Sequence, residues 1–571
     1  MEEASQNHPS MLDFDLGLQS CKISTSSQKA QKLFDQGLNW CFAFNQEEGL
    51  SCFKAALQYD TNCAMLYWGV AYAAGPFYNM PWEDFSEAEK VQCTAFCRGY
   101  IEEAVVNIDS ASPIERALIN ALSLRIQKPY FVSQSEFDEW DDEYAIAMRK
   151  VNYNFPDSTD AAALFIEAMM IRTPWNMWDV TTKLPPERAD TYEAISLCEK
   201  EIKRADALSI TPHPAILHWY IHLMEMSPNP ELAMDSAKRL AGLSPDAGHL
   251  HHMPGHIYLL CGEYEKAKSV SEEAIRVNRK YLSYAGPYNY YTANRCHDLH
   301  LMIYACMFLG QLDPAIAAAE EICENLTSDV IDLTDKPFIA ATLEGYFSMK
   351  MHVLVRFGAW QDILDTPFPE DPKLYCVSTS MFYYARTIAQ AALKNIEEAK
   401  IERASFYQSL KLIAPTRKLF NNSAIMILKV GELMLEGELS YHEGKIEVAY
   451  EYLRESVRVY DKLHYSEPWP WMHPPRHALG ALLLEQGHYQ EAEEIYRADL
   501  GMNETVYRCA QHPNNVWALH GLSECLIYRG ETEEVDQVQS LLTKALKKAD
   551  PSIKSSCCCR GYIRKSVSKG V

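Results

Sequence analysis

A short turn signature, Gly-x-(Tyr/Leu/Ile)-x-x-Ala, is read at four turns of this chain, as Gly262, Tyr264, Ala267, as Gly310, Leu312, Ala315, as Gly444, Ile446, Ala449, and as Gly487, Tyr489, Ala492. The glycine closes one helix and the alanine lets the next approach closely, so each copy specifies a helical hairpin and the set specifies a stack of them. Spacing is uneven, 48 residues from Gly262 to Gly310 and 43 from Gly444 to Gly487, so units carry insertions or lengthened helices. Helix starts are expected at Ser112-Pro113-Ile114-Glu115, Asn229-Pro230-Glu231 and Ser244-Pro245-Asp246, where a polar cap, a proline and an acid satisfy free amides. No β-branched alternation with hairpin turns argues for a sheet. The fold class is all-α.

A repeat array lengthens without adding separate cores, so 571 residues read as one long body. The expected division is an N-terminal extension over 1–24, an α-solenoid over 25–548 with His-rich central repeats at 213–326, and a basic, disordered, cysteine-containing tail over 549–571. Hydrophobic residues make up 48%, with no apolar run near the roughly 20 residues of a membrane span. A formal charge of −24, with no basic face in residues 1–540, excludes nucleic acid as a partner. The start Met1-Glu2-Glu3-Ala4-Ser5 lacks the features of a secretory signal, which places the chain in the cytoplasm. Seventeen cysteines without paired CxxC spacing suggest neither a disulfide framework nor a zinc knuckle.

Nine of the 18 histidines lie between residues 213 and 300. His218 and His252 are 34 residues apart, as are His222 and His256, which is the period of a tetratricopeptide repeat. With Gly248 as position 1 of its repeat, His249, His252 and His256 take positions 2, 5 and 9, one stripe of a helix. With Pro214 as position 1, His218 and His222 take 5 and 9 and Glu225 takes 12; with Cys296 as position 1, His297 and His300 take 2 and 5 and Tyr304 takes 9. In tetratricopeptide repeats that stripe lines the concave groove. Histidines at i and i+3 or i+4 offer two nitrogens from one helix to one ion, and adjacent helices lie roughly 8–10 Å apart, so equivalent positions can meet. The expected metal ligands are therefore His218, His222, His249, His252, His256, His297 and His300. Imidazole with one nearby carboxylate suits Zn, Cu, Fe or Ni rather than Mg or Ca. One tetrahedral ion does not use seven donors, so either two ions bind or some of these groups support the ligands, a role also expected of Glu225, Tyr304 and His251. Pro254, inside His252-Met253-Pro254-Gly255-His256, is expected to kink the helix.

Segments 33–53, 64–75, 213–222, 248–258 (GHLHHMPGHIY) and 476–499 resemble a mostly bacterial group of tetratricopeptide-repeat proteins carrying an HMPxHI motif. The resemblance covers most of residues 25–530 and implies the repeat fold and the histidine motif; the group has no settled activity, so it implies no reaction. Gln46 stands where the group is expected to have His.

Two aromatic segments, Pro76–Trp82 and Glu467–His477, and a tyrosine-rich insertion, Tyr281–Tyr291, are candidates to cover the groove, with Tyr288, Tyr290, Arg476 and His477 as substrate contacts. Cys557, Cys558 and Cys559 lie among basic residues, a composition that resembles an S-acylated tail and would tie the protein to a membrane only if modified. The resulting expectation is a metal-binding solenoid acting on a small molecule, with oxidoreductase and hydrolase both open. The competing expectation is a non-catalytic adaptor whose groove binds a peptide of a partner protein.

Overall fold

A computed structural model describes residues 10–560 of the chain. They divide into two compact units: Met1–Ile257 with Glu272–Arg295 and Thr334–Phe338, and Tyr258–Ser271 with Cys296–Leu333 and Ile339–Val571. Each is a stack of helices in which sequence neighbours pack on one another, the tetratricopeptide-like arrangement. Among the described residues the only ladder is a two-residue hairpin, Lys418–Leu419 against Asn422–Ser423. No described helix is long and apolar enough to cross a membrane.

The signature turns form as expected. Gly262, Gly310, Gly444 and Gly487 all hold φ between 71° and 83°, a left-handed conformation that costs glycine little and other residues more. The paired alanines Ala267, Ala315, Ala449 and Ala492 are fully buried. In the first unit the helices Gln28–Phe42 and Gln46–Leu57 meet where Gly37 faces Phe53; a Cβ on Gly37 would lie 2.8 Å from that ring, so the close approach excludes a side chain. Ser112 starts the Pro113–Arg125 helix with a complete capping box, its amide donating to Glu115 Oε2 at 2.6 Å. Ser244-Pro245 does not start a helix. Asp246 is instead spent on the Asp15 amide (2.7 Å) and Lys280 (2.6 Å), and the next helix begins at Gly248.

Tail residues 549–560, expected to be disordered, are packed on the second unit. The Asp550 amide donates to the Gly310 carbonyl at 2.9 Å, Asp550 accepts from the Leu312 amide at 2.9 Å, the Tyr496 hydroxyl bonds Ser556 at 2.7 Å, and Arg560 forms a fork with Glu524 at 2.7 and 3.0 Å. Cys559 is buried and Cys557 and Cys558 are half-buried, so acylation would first have to release this segment. The rest of the tail, 561–571, lies outside the described residues.

Candidate metal centre

Five of the seven histidines come together in the first unit. The Pro214–Glu225 helix carries His218 and His222 one turn apart, with Pro214 at its first position and His213 as its cap, accepting from the Ala215 amide at 3.1 Å. His249 and His252 sit on the short Gly248–His252 helix. Met253 separates it from the Pro254–Leu260 helix, which carries His256, but keeps helical angles (φ −51°, ψ −41°), so the expected kink at Pro254 is a one-residue gap between two helical segments. All five rings are at most 2% exposed.

Ring centroids trace a closed circuit: His218 to His222, 4.9 Å; His222 to His256, 5.8 Å; His256 to His252, 4.7 Å; His252 to His249, 5.8 Å; and His249 back to His218, 4.9 Å. One ring nitrogen from each of His218, His222 and His249 lies within 4.8 Å of the other two.

Hydrogen bonds fix which nitrogen carries the proton. His218 Nδ1 lies 2.8 Å from the Phe42 carbonyl, which can only accept, so Nδ1 carries the proton and Nε2 the lone pair. Glu225, fully buried, accepts from His222 Nδ1 at 2.8 Å and from His256 Nδ1 at 2.6 Å, which leaves Nε2 of both rings unprotonated in the neutral form. A carboxylate behind a histidine in this way orients the ring and raises its basicity toward a metal. His249 Nε2 stands 3.2 Å from His218 Nε2, near the roughly 3.3 Å that two nitrogens take on a tetrahedral ion with bonds of about 2.0–2.1 Å. The His252–His256 Nε2 pair, at 2.7 Å, is closer than that and is joined as an N–H···N bond. Burial, reinforced by the neighbouring His222 and opposed by the Phe42 carbonyl, holds His218 well below the usual histidine range, so it stays neutral and able to ligate.

Aromatic side chains wall these rings. Phe44, in the turn between the first two helices, sits at φ 56°, a conformation costly for a bulky residue. Its ring lies 4.7 Å from His218, 5.0 Å from His249 and 5.7 Å from His222, and its carbonyl accepts from Asn294 Nδ2 at 3.2 Å. Tyr78 stands 4.8 Å from His222, and the Tyr291 hydroxyl accepts from the His249 amide at 3.1 Å. Tyr78 is the contact that the segment Pro76–Trp82 makes with His222. Gln46 bonds the Cys41 carbonyl at 3.2 Å.

His297 and His300 belong to the second unit. There His300 Nε2 meets Met472 Sδ at 2.8 Å and its ring packs between Tyr346 and Phe420, while His297 lies 4.0 Å from Glu467. Tyr304 donates to or accepts from His512 Nε2 at 2.8 Å, and His512 in turn bonds Asp499 at 2.8 Å. His477 is bound between Asp499 and Arg356, each at 2.8 Å, and Arg476 forks onto Asp461. His251 bonds the Pro245 carbonyl at 3.1 Å. In the first unit, Tyr290 packs edge-on against Phe77 at 5.5 Å, whereas Tyr288 is exposed.

Residues 249–281 match the tetratricopeptide repeat family, and this stretch contains His249, His252 and His256. No curated protein matches the chain in sequence. Among solved structures, one titled "Crystal structure of APC/C hetero-tetramer Cut9-Hcn1" is similar over 73% of this chain and 80% of that one, at 12% identity and a TM-score of 0.24. The chain is an all-α protein of stacked helical hairpins that carries a tetratricopeptide repeat.

Proposed function

We propose that the first unit binds a transition metal ion, Zn, Cu, Fe or Ni, through Nε2 of His218, His222 and His249, and that the protein is a metal-dependent enzyme acting on a small molecule. The HMPGHI segment, His252–Ile257, then belongs to the same centre, with His252 and His256 as a further pair able to take an ion once their nitrogens separate by about 0.6 Å, the gap between the observed 2.7 Å and a tetrahedral pair. The observation that carries this reading is the mutual approach of three ring nitrogens within 4.8 Å in a fully buried setting, with two of the rings held at Nδ1 by acceptors, which puts the lone pair on Nε2 of the neutral ring. Burying several imidazoles is costly without such a use.

Three histidine ligands leave a position for water or substrate, the arrangement of catalytic rather than structural sites. A bound ion would polarise a substrate oxygen or lower the pKa of water. This chain's residues contribute the rest: Glu225 fixes the tautomers of His222 and His256, and Phe44 and Tyr78 exclude solvent from one side.

The tetratricopeptide match favours a second reading, an adaptor that binds a peptide. Rings at most 2% exposed cannot meet a peptide lying on the surface, so the peptide would have to bind elsewhere. Azide added to Co(II)-substituted protein separates the two readings. A shift in the d–d spectrum reports an open coordination position; an unchanged spectrum, with unfolding on metal removal, would mark the site as structural and favour the adaptor.

A further inference from the structure

The first unit buries an arginine whose donors the chain itself leaves mostly unused. Arg125 ends the Pro113–Arg125 helix and is 1% exposed. A guanidinium offers five N–H donors in a rigid fork. One of them is engaged, Nη2 donating to the Pro76 carbonyl at 2.5 Å, while Nε and Nη1 have no hydrogen-bond partner. Its charge is cushioned by the rings of Tyr144 at 5.0 Å and Tyr72 at 5.9 Å. Glu167 acts on it electrostatically but is itself taken by the Tyr72 hydroxyl.

Asp141 lies one turn before Tyr144 on the Gln134–Asn154 helix, on the face that meets Arg125, and its Oδ1 is also buried without a partner. Burial, against the pull of Arg125, pushes its carboxyl up to about 8, so near neutral pH it is a carboxylic acid with an O–H to donate. Buried donors left unmet are costly, and native interiors rarely keep them. Two unmet donors on one buried cation, Nε and Nη1 of Arg125, call for an acceptor with more than one oxygen. A planar carboxylate matches the edge of a guanidinium fork.

We propose that Arg125 and Asp141 form a buried binding site for the carboxylate of a small organic acid. The site does not depend on the metal centre. It does share a structural wall with it: Pro76, which holds Arg125, opens the segment whose Tyr78 ring lies 4.8 Å from His222.

The test is thermal unfolding of full-length, chelator-stripped protein titrated with sodium benzoate and sodium succinate, against sodium chloride and sodium phosphate at matched ionic strength. The expected result is a saturable rise in Tm with at least one of the two carboxylates and with neither control. Arg125→Lys, which keeps the charge and loses the fork, should weaken the response at least tenfold, whereas Asp141→Asn, whose amide replaces the neutral acid with a neutral N–H donor of the same shape, should retain it. Arg125→Met should abolish it; should that variant fail to fold, the Lys and Asn variants still decide. The proposal is overturned if neither carboxylate raises Tm above the chloride control, if phosphate acts as well as carboxylate, or if Arg125→Lys responds like the wild type. Because the protein is metal-free in this assay, the outcome is independent of whether the histidine centre binds metal.

Discussion

Glu225→Gln is the substitution whose consequences are most sharply determined by the geometry. The carboxylate is fully buried and accepts from two imidazoles, His222 Nδ1 at 2.8 Å and His256 Nδ1 at 2.6 Å. Glutamine has the same shape but one acceptor oxygen and one NH2. It can receive one of the two Nδ1–H groups; toward the other it presents a donor, and that ring must move its proton to Nε2. An imidazole protonated at Nε2 has no lone pair there for a metal. Losing one hydrogen bond to a charged group costs about 1.5–3 kcal/mol of stability. Losing an orienting partner of a ligand costs about 10–100-fold in metal affinity, or about 1.4–2.7 kcal/mol. The assay is competition with a chromophoric chelator, with circular dichroism to check folding. Unchanged metal affinity in a folded Glu225→Gln protein would refute the assignment of Glu225 as the group that sets these tautomers.

Two further outcomes are expected. Phe44→Ala removes a ring that packs on three imidazoles and relieves only part of the backbone strain at φ 56°, so it should destabilise the protein by about 2–4 kcal/mol and admit solvent to the cluster; a Tm equal to the wild type would contradict the packing argument. In the second unit, burial pushes His352 down to about 3, below the value of about 6.5 for an unfolded chain. The unfolded state therefore takes up the proton first as pH falls, so this stability is whole above pH 6.5 and is lost progressively toward pH 3, up to about 4–5 kcal/mol. Urea unfolding at pH 7, 5 and 4 should show a shallower pH slope for His352→Phe, and an identical slope would exclude His352 as a source of acid lability.

The hairpin architecture was legible because it is local. A turn glycine and its alanine five residues on need only their own two helices, and all four copies adopt the expected conformation. The histidine registers were legible for the same reason: positions 5 and 9 of one repeat and 2, 5 and 9 of the next meet across neighbouring helices. The same register extends to His297 and His300, which belong to the second unit. What periodicity could not show is the set of contacts made by distant turns. The Phe42 carbonyl that fixes His218 is 176 residues away in sequence, and Asn294, which holds the Phe44 carbonyl, is 250 residues from it. Arg125 stands in no motif, and its meaning comes only from burial and unmet donors. The Ser244-Pro245 start failed because Asp246 found tertiary partners in Asp15 and Lys280, which outweigh a local cap.

The most direct test of the central claim is metal analysis by mass spectrometry on full-length protein purified without a histidine tag, beside the double variant His218→Ala, His249→Ala. The account predicts close to stoichiometric Zn, Cu, Fe or Ni in the wild type and its loss in the double variant, with helical circular dichroism retained in both. Full metal occupancy in the double variant, or a wild-type protein that neither carries nor takes up any of these ions, would contradict it.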